Sequence, residues 1–227
     1  MSRDLTLLRG VIFDLDGTLV ESTPAHIGAW IRAVGEFGVD ASEEEVRPHM
    51  GRSSEDICCA LLGRRPRNEI ERAYCRKDDI YYELIPSVVE PVPGAIETVV
   101  GLRGMGYLVS IASSNPMRVI ERSLSSVGLI EYADSIASQD EVARGKPAPD
   151  LFINAREKMG LDAGEIIAVG DTCFDVLAAR AAGMTTAAFT GGCQSDEELG
   201  ESQPDFLITD LLQLLDLLPE RGARGWN

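Results

Sequence analysis

The chain has 227 residues, of which 21 are basic and 37 acidic, giving a formal net charge of −16. At roughly 150 residues per domain, this length allows one large domain or one domain carrying a sizeable insertion. A hydrophobic fraction of 44% with 26% charged is globular and excludes intrinsic disorder, while the acidic excess argues against nucleic acid, whose phosphates need a basic face.

No stretch approaches the ~20 apolar residues that cross a bilayer, so no membrane partner is expected. Met1-Ser2-Arg3-Asp4 places an acid where a secretory leader would carry positive charge followed by an apolar run. The five cysteines, including the adjacent Cys58 and Cys59, show no zinc spacing and read as reduced thiols of a cytoplasmic protein.

In chain order, short apolar runs alternate with segments of helical period, the pattern of an α/β sheet. Strands are predicted at Gly10–Asp14, Tyr107–Ser113, Ser135–Ala137, Ile166–Gly170 and Thr186–Phe189, with Phe206–Ile208 closing an edge. Several are apolar on both faces, as in a Rossmann-like parallel sheet covered by helices. The helices are expected at Ala95–Arg103, Met117–Ser126, Pro149–Met159, Phe174–Ala182 and Leu211–Leu218, with Gly183 as a helix stop.

Residues 20–91 break this alternation. They contain no convincing strand and read as an inserted α-helical cap, with helices at Pro24–Phe37, Glu43–Arg47, Ser54–Leu62 and Pro66–Leu84. Pro24 suits a first helical position and Ser54 a cap. Pro91 and Pro93 make a stiff return into the α/β core, formed by residues 1–19 and 92–227. The tail Glu220–Asn227 is expected to fray.

Four clusters carry chemistry. Asp14 and Asp16 follow the first strand; in extended chain residues i and i+2 point to one side, at the carboxyl edge where parallel sheets bind ligands. Two such carboxylates need a cation between them or a retained proton. Asp171 follows another apolar strand and adds a third hard oxygen ligand, and carboxylates with substrate phosphate and water are how Mg²⁺ is usually held. Asp175, one turn on, reads as orienting that shell. Ser113-Ser114-Asn115 before a helix forms an anion site. Lys146 is pinned between Gly145 and Pro147. Individually, each cluster also reads as an ordinary turn, helix cap or surface lysine.

DLDGT, SSN, GKPAPD and GDTCFD, in this order and spacing, resemble the four motifs of the haloacid dehalogenase-like hydrolases, and the likeness spans Val11 to about Leu218. GDTCFDVLAARAAGM and PDFLITDLLQLLDLL are most similar to the phosphoglycolate phosphatase branch. The resemblance implies a Mg²⁺-dependent phosphatase of a small phosphorylated metabolite, as a monomer or homodimer. It makes Asp14 the nucleophile and Asp16 the general acid and base, protonated beside ionised Asp14. It gives Mg²⁺ the Asp14 carboxylate, the Asp16 carbonyl and Asp171, and the phosphoryl oxygens Ser113, the Ser114 backbone and Lys146. The helical insert resembles that family's cap, in which His26 approaches Asp16 and Arg52, beside Gly51, reaches the leaving group. Otherwise His26 is structural and Arg52 pairs with Glu55 or Asp56. Glu21-Ser22 departs from the usual Asp-Ser as a tolerated hinge change. Met50 and Ser54 stand where β-phosphoglucomutases carry basic residues, which disfavours a phosphosugar mutase. A non-catalytic binding protein is the other alternative, and Asp16 disfavours dehalogenation.

Overall fold

The computed structural model describes residues 4–222. After a short 3₁₀ turn at Leu5–Leu7, the chain runs through β1 (Gly10–Phe13), β2 (Val20–Glu21), α1 (Thr23–Gly35), α2 (Glu43–Val46), α3 (Ser54–Leu62) and α4 (Arg67–Val88). It returns through β3 (Glu90–Pro91), α5 (Ala95–Gly104), β4 (Leu108–Ser113), α6 (Met117–Ser126), β5 (Ser135–Ser138) and α7 (Asp150–Met159). The remainder is β6 (Ile166–Gly170), α8 (Cys173–Ala181), β7 (Thr185–Phe189), α9 (Asp196–Glu201), β8 (Phe206–Ile208) and α10 (Gln213–Leu217).

Six strands form one parallel sheet in the order β5-β4-β1-β6-β7-β8. Side chains alternate across it. Val11 and Phe13 of β1 pack with Val99 of α5, Ile120 of α6 and Leu214 of α10. Ile12 points the other way, onto Phe152 of α7 and Ala178 of α8. Apolar burial on both faces explains the near-continuous hydrophobic runs of these strands. Connections leave β1 toward β4 on one side and β6 on the other, and a crevice opens at the carboxyl ends there.

The segment between β1 and β3 departs from expectation in one respect. Val20 pairs with Pro91 and Glu21 with Glu90, a two-stranded antiparallel ribbon where no strand was predicted. This ribbon ties the two chain crossings together at the root of the helices. α1 begins at Thr23, one residue before Pro24. Ser53, not Ser54, caps α3 by accepting from the Asp56 amide. α4 runs through Pro86 to Val88, past the predicted end at Leu84. These helices share their own apolar cluster around Ile27, Trp30, Val46, Ile57 and Ile70. Gly183, at φ +83°, follows α8 as its stop.

Of the tail expected to fray, Glu220–Gly222 lie among the described residues, and there Arg221 is held by the Met105, Thr6 and Leu8 carbonyls. The rest of that tail lies outside them.

Candidate active site

Register brings the acidic motifs together. Phe13 of β1 lies opposite Ile111 of β4 and Val169 of β6, so Asp14, Ser113 and Asp171 leave the sheet side by side. Asp14 is 5% exposed and its amide is fixed by the Val169 carbonyl. Lys146 arrives from the loop between β5 and α7, is 1% exposed, and sets Nζ 2.6 Å from Asp14 Oδ1. The same ammonium donates to the Ala112 carbonyl and forms an ion pair with Asp175 Oδ1 at 2.7 Å.

Asp171 is fully buried and accepts from Thr18 Oγ1 at 3.2 Å and from the Cys193 amide at 2.7 Å. A Cβ on Gly192 would fall 2.2 Å from Asp171, so only glycine lets the backbone wrap this carboxylate so closely. Asp175 gives its second oxygen to the amide and hydroxyl of Thr172.

One oxygen each from Asp14, Asp171 and Asp175 lies within 4.8 Å of the others, all three residues buried. Three carboxylates face a single lysine. Burial, then repulsion within this cluster with Lys146 opposing it, holds the Asp14 carboxyl well above the usual range. Burial and Asp175 push Asp171 up to about 7. A buried excess of negative charge with only hard oxygen donors fits a divalent cation such as Mg²⁺. The Asp16 carboxylate, expected from the strand end to converge with Asp14, turns elsewhere, while the resemblance assigns the metal its backbone carbonyl; Asp175 stands in the carboxylate cluster.

Asp16 faces the helices instead. Its Oδ1 accepts from Ser22 Oγ at 2.6 Å and lies 2.9 Å from His26 Nε2, while Oδ2 accepts from Asn115 Nδ2 at 2.5 Å. Tyr81 completes the shell, its hydroxyl 3.5 Å away and its ring stacked on His26 at 3.6 Å. Burial acts to raise the Asp16 carboxyl, yet His26, Ser22 and Lys77 hold it near 2. Burial, then Lys77, lowers the His26 imidazole in turn, which opposes a full ion pair between the two.

Ser113 lines the crevice with its hydroxyl accepting from the Asn115 amide. Ser114 donates to the Gly51 carbonyl at 3.3 Å, tying the helical segment to the sheet edge. Gly51 has φ +89°, and a Cβ there would meet Thr172 Oγ1 at 2.8 Å. Next to it, the Arg52 guanidinium stacks 4.7 Å above the Phe174 ring, and no ion pair with Glu55 or Asp56 forms among the described residues.

The crevice, partly open to solvent, is bounded by Asp14, Asp16, Ser113 and Asp171 below and by Arg52 and residues of α1 and α4 above. Trp30, Lys77 and Tyr81 are the site residues that sequence reasoning missed. Their signal is spacing: His26 with Trp30, and Lys77 with Tyr81, lie four apart on one helix face.

A family model described as haloacid dehalogenase-like hydrolase matches residues 11–189. A Dickeya dadantii protein named "Probable phosphatase IndB" is 30% identical, covering 87% of this chain and 88% of its own. A phosphoglycolate phosphatase of Vibrio parahaemolyticus is 30% identical over 92% of this chain and 95% of its own. The crystal structure of a hydrolase from Pseudomonas syringae superposes with a TM-score of 0.84 at 28% identity, covering 92% of this chain and 96% of that one. The chain belongs to the haloacid dehalogenase-like hydrolase family, among whose named phosphatases these relatives stand.

Proposed function

We propose that the protein is a Mg²⁺-dependent phosphatase of a small phosphorylated metabolite, acting through a phosphoryl group carried on Asp14. One observation carries this reading. Asp14 and Asp16, two residues apart, are given opposite surroundings in one crevice: a lysine and two buried carboxylates for the first, a hydrogen-bonded shell for the second. Separated environments assign separate roles to paired acids.

Lys146 aligns the Asp14 carboxylate and offsets its charge against a phosphate dianion. An Asp14 oxygen attacks phosphorus, forming the O–P bond as the ester P–O bond breaks. The departing alkoxide takes the proton of the Asp16 carboxyl. A phosphate dianion beside Asp16 favours its protonated form, as any like charge does. In the second step Asp16 takes a proton from water, whose oxygen attacks phosphorus and releases Asp14 as carboxylate. Ser113 and the Ser114 amide are placed to receive phosphoryl oxygens. The Asp14 and Asp171 carboxylates and the Asp16 carbonyl would hold Mg²⁺, with Asp175 holding Lys146 and Thr172. Bound there, the cation supplies charge neutralisation at the phosphoryl oxygens. Asn115, expected among the substrate-binding residues, also donates its Nδ2 to Asp16.

The phosphosugar mutase reading lacks the basic residues at Met50 and Ser54. Phosphate release measured over phosphorylated acids, sugars and nucleotides, with Mg²⁺ and with chelator, separates the readings. Hydrolysis of small monoesters is expected. Isomerisation that needs a bisphosphate primer supports the mutase, and no turnover of any ester supports a binding protein.

Gly51→Ala tests the contact between the helices and the sheet edge. The strained backbone and the clash with Thr172 cost about 1–3 kcal/mol, so kcat/KM should fall roughly 10–100-fold with circular dichroism unchanged. An unaltered kcat/KM would show that Gly51 does not approach Thr172 during turnover.

A further inference from the structure

A second cavity lies beside the crevice, beyond Ser54 and Ser114, which line both. It measures about 440 Å³ and is partly open to solvent, within the ~300–1,000 Å³ of small-molecule sites. One wall belongs to α3 and α4, the other to the loop between β5 and α7. The walls meet closely, since a Cβ on Gly145 of that loop would fall 2.5 Å from Ser53 Cβ. The cavity therefore exists only while the helical segment rests on the sheet edge.

Its lining is rich in acceptors and poor in positive charge. Glu55, Asp56 and Asp78 stand on the helical wall and Asp140 on the loop, so seating the helices brings like charges together. Each aspartate gives one oxygen to the protein: Asp56 to Ser53 Oγ at 2.7 Å, Asp78 to Lys77 Nζ at 3.2 Å, and Asp140 to the Met117 amide at 2.8 Å. The other oxygen of each, and the whole Glu55 carboxylate, make no hydrogen bond among the described residues. Arg144, the cation of the lining, is already held by both oxygens of Asp150, at 3.1 and 2.8 Å. Two buried polar groups are unpaired as well. Ser54 is 9% exposed, and its hydroxyl has no partner among the described residues. Gln139 Oε1 is buried and likewise without one. Unpaired buried groups are destabilising, so these mark where a ligand's N–H belongs.

We infer that this cavity binds a small organic dication, an alkyl diamine, whose ammonium groups join the acids of α3 and α4 to Asp140 and hold the helical segment against the sheet. Each ammonium brings three donors and a positive charge to a lining that lacks both, and Tyr74 adds an aromatic ring, whose face attracts alkylammonium. A bare divalent cation is disfavoured. These acids are spread over a wide cavity, whereas Asp14, Asp171 and Asp175 are gathered within one coordination shell. A ligand that needs both walls favours the seated state, because only that state contains the site. The inference goes beyond the phosphatase reading and stands without it.

The test is calorimetric titration of 1,4-diaminobutane into the full chain, with saturating Mg²⁺ and with ionic strength held constant by NaCl. Saturable one-to-one binding tighter than about 1 mM is expected, with butylamine at least ~10-fold weaker and 1,4-butanediol silent. Glu55→Gln and Asp140→Asn remove one charge from each wall. Both residues are exposed, and the asparagine keeps an acceptor for the Met117 amide, so the fold should persist by circular dichroism. Each substitution should raise Kd about 10-fold. No saturable heat, or butylamine binding as tightly as the diamine, overturns the site. Heat that appears only without Mg²⁺ places the amine at the Asp14 cluster and also overturns it. A Kd raised by one substitution and unchanged within twofold by the other overturns the bridge between the walls. A Kd unchanged within twofold by both places the amine elsewhere.

Discussion

Asp14→Asn should lower phosphate-monoester turnover by at least ~10³-fold while the metal-free melting temperature stays equal to wild type or rises. The amide has no charge and cannot attack phosphorus, so only binding and solvation remain to accelerate hydrolysis. The stability half follows from burial. Asp14 is held well above the usual carboxylate range, first by burial and then by Asp175 and Asp171 against the pull of Lys146. A carboxyl whose folded pKa is raised destabilises the fold at every pH above its unfolded value, so at pH 7 an amide removes a penalty. Lys146 keeps Asp175 at 2.7 Å, so the substitution does not strand a buried ammonium. Turnover within tenfold of wild type, measured by phosphate release, would remove Asp14 from the nucleophile's role. A clear fall in melting temperature would show that the pair with Lys146 outweighs the repulsion.

Removing divalent metal should abolish activity, and adding Mg²⁺ should restore it, with an effect of ~10³-fold or more because several kcal/mol of charge stabilisation are withdrawn. Stability gives an independent readout. Asp171, pushed up to about 7 by burial and Asp175, is one of three buried carboxylates that a cation would pair. Mg²⁺ at a hundred times its Kd stabilises the fold by about 2.7 kcal/mol, which in a chain of this size is roughly 5–10 °C in Tm. Asp171→Asn should reduce that shift. Full activity in excess chelator, with no Mg²⁺-dependent rise in Tm, would contradict the metal site.

Much of the sheet was legible because parallel strands covered on both faces are written as short apolar runs, and the acids at their ends follow directly. Asp14 and Asp171 needed only the strand ends and a parallel register to meet. The β2–β3 ribbon was not legible: two residues on each side carry no periodicity, and their pairing spans the whole helical segment. α9 was missed although Ser195 and Glu198 spell a capping box, because the helix after it is short and two-thirds acidic. Lys77 sits in a run of charged residues that reads as a solvated face. Periodicity shows that it shares a face with Tyr81, but not that this face meets Trp30 and His26 of another helix. The shell around Asp16 was hidden for the same reason, since His26 and Ser22 reach it from the helical segment.

The central claim is that phosphate passes through Asp14, and trapping it there is the direct test. In Asp16→Asn the second step loses its base, a loss of about 10²–10⁴-fold, while an aryl phosphate with a good leaving group still phosphorylates the enzyme without its acid. The measurement is acid quench of that variant with an aryl phosphate, followed by peptide mapping. A hydroxylamine-labile phosphoryl group on the peptide containing Asp14 is the predicted result. Release of phosphate with no phosphoryl group on Asp14, or with the group on another residue, would contradict it.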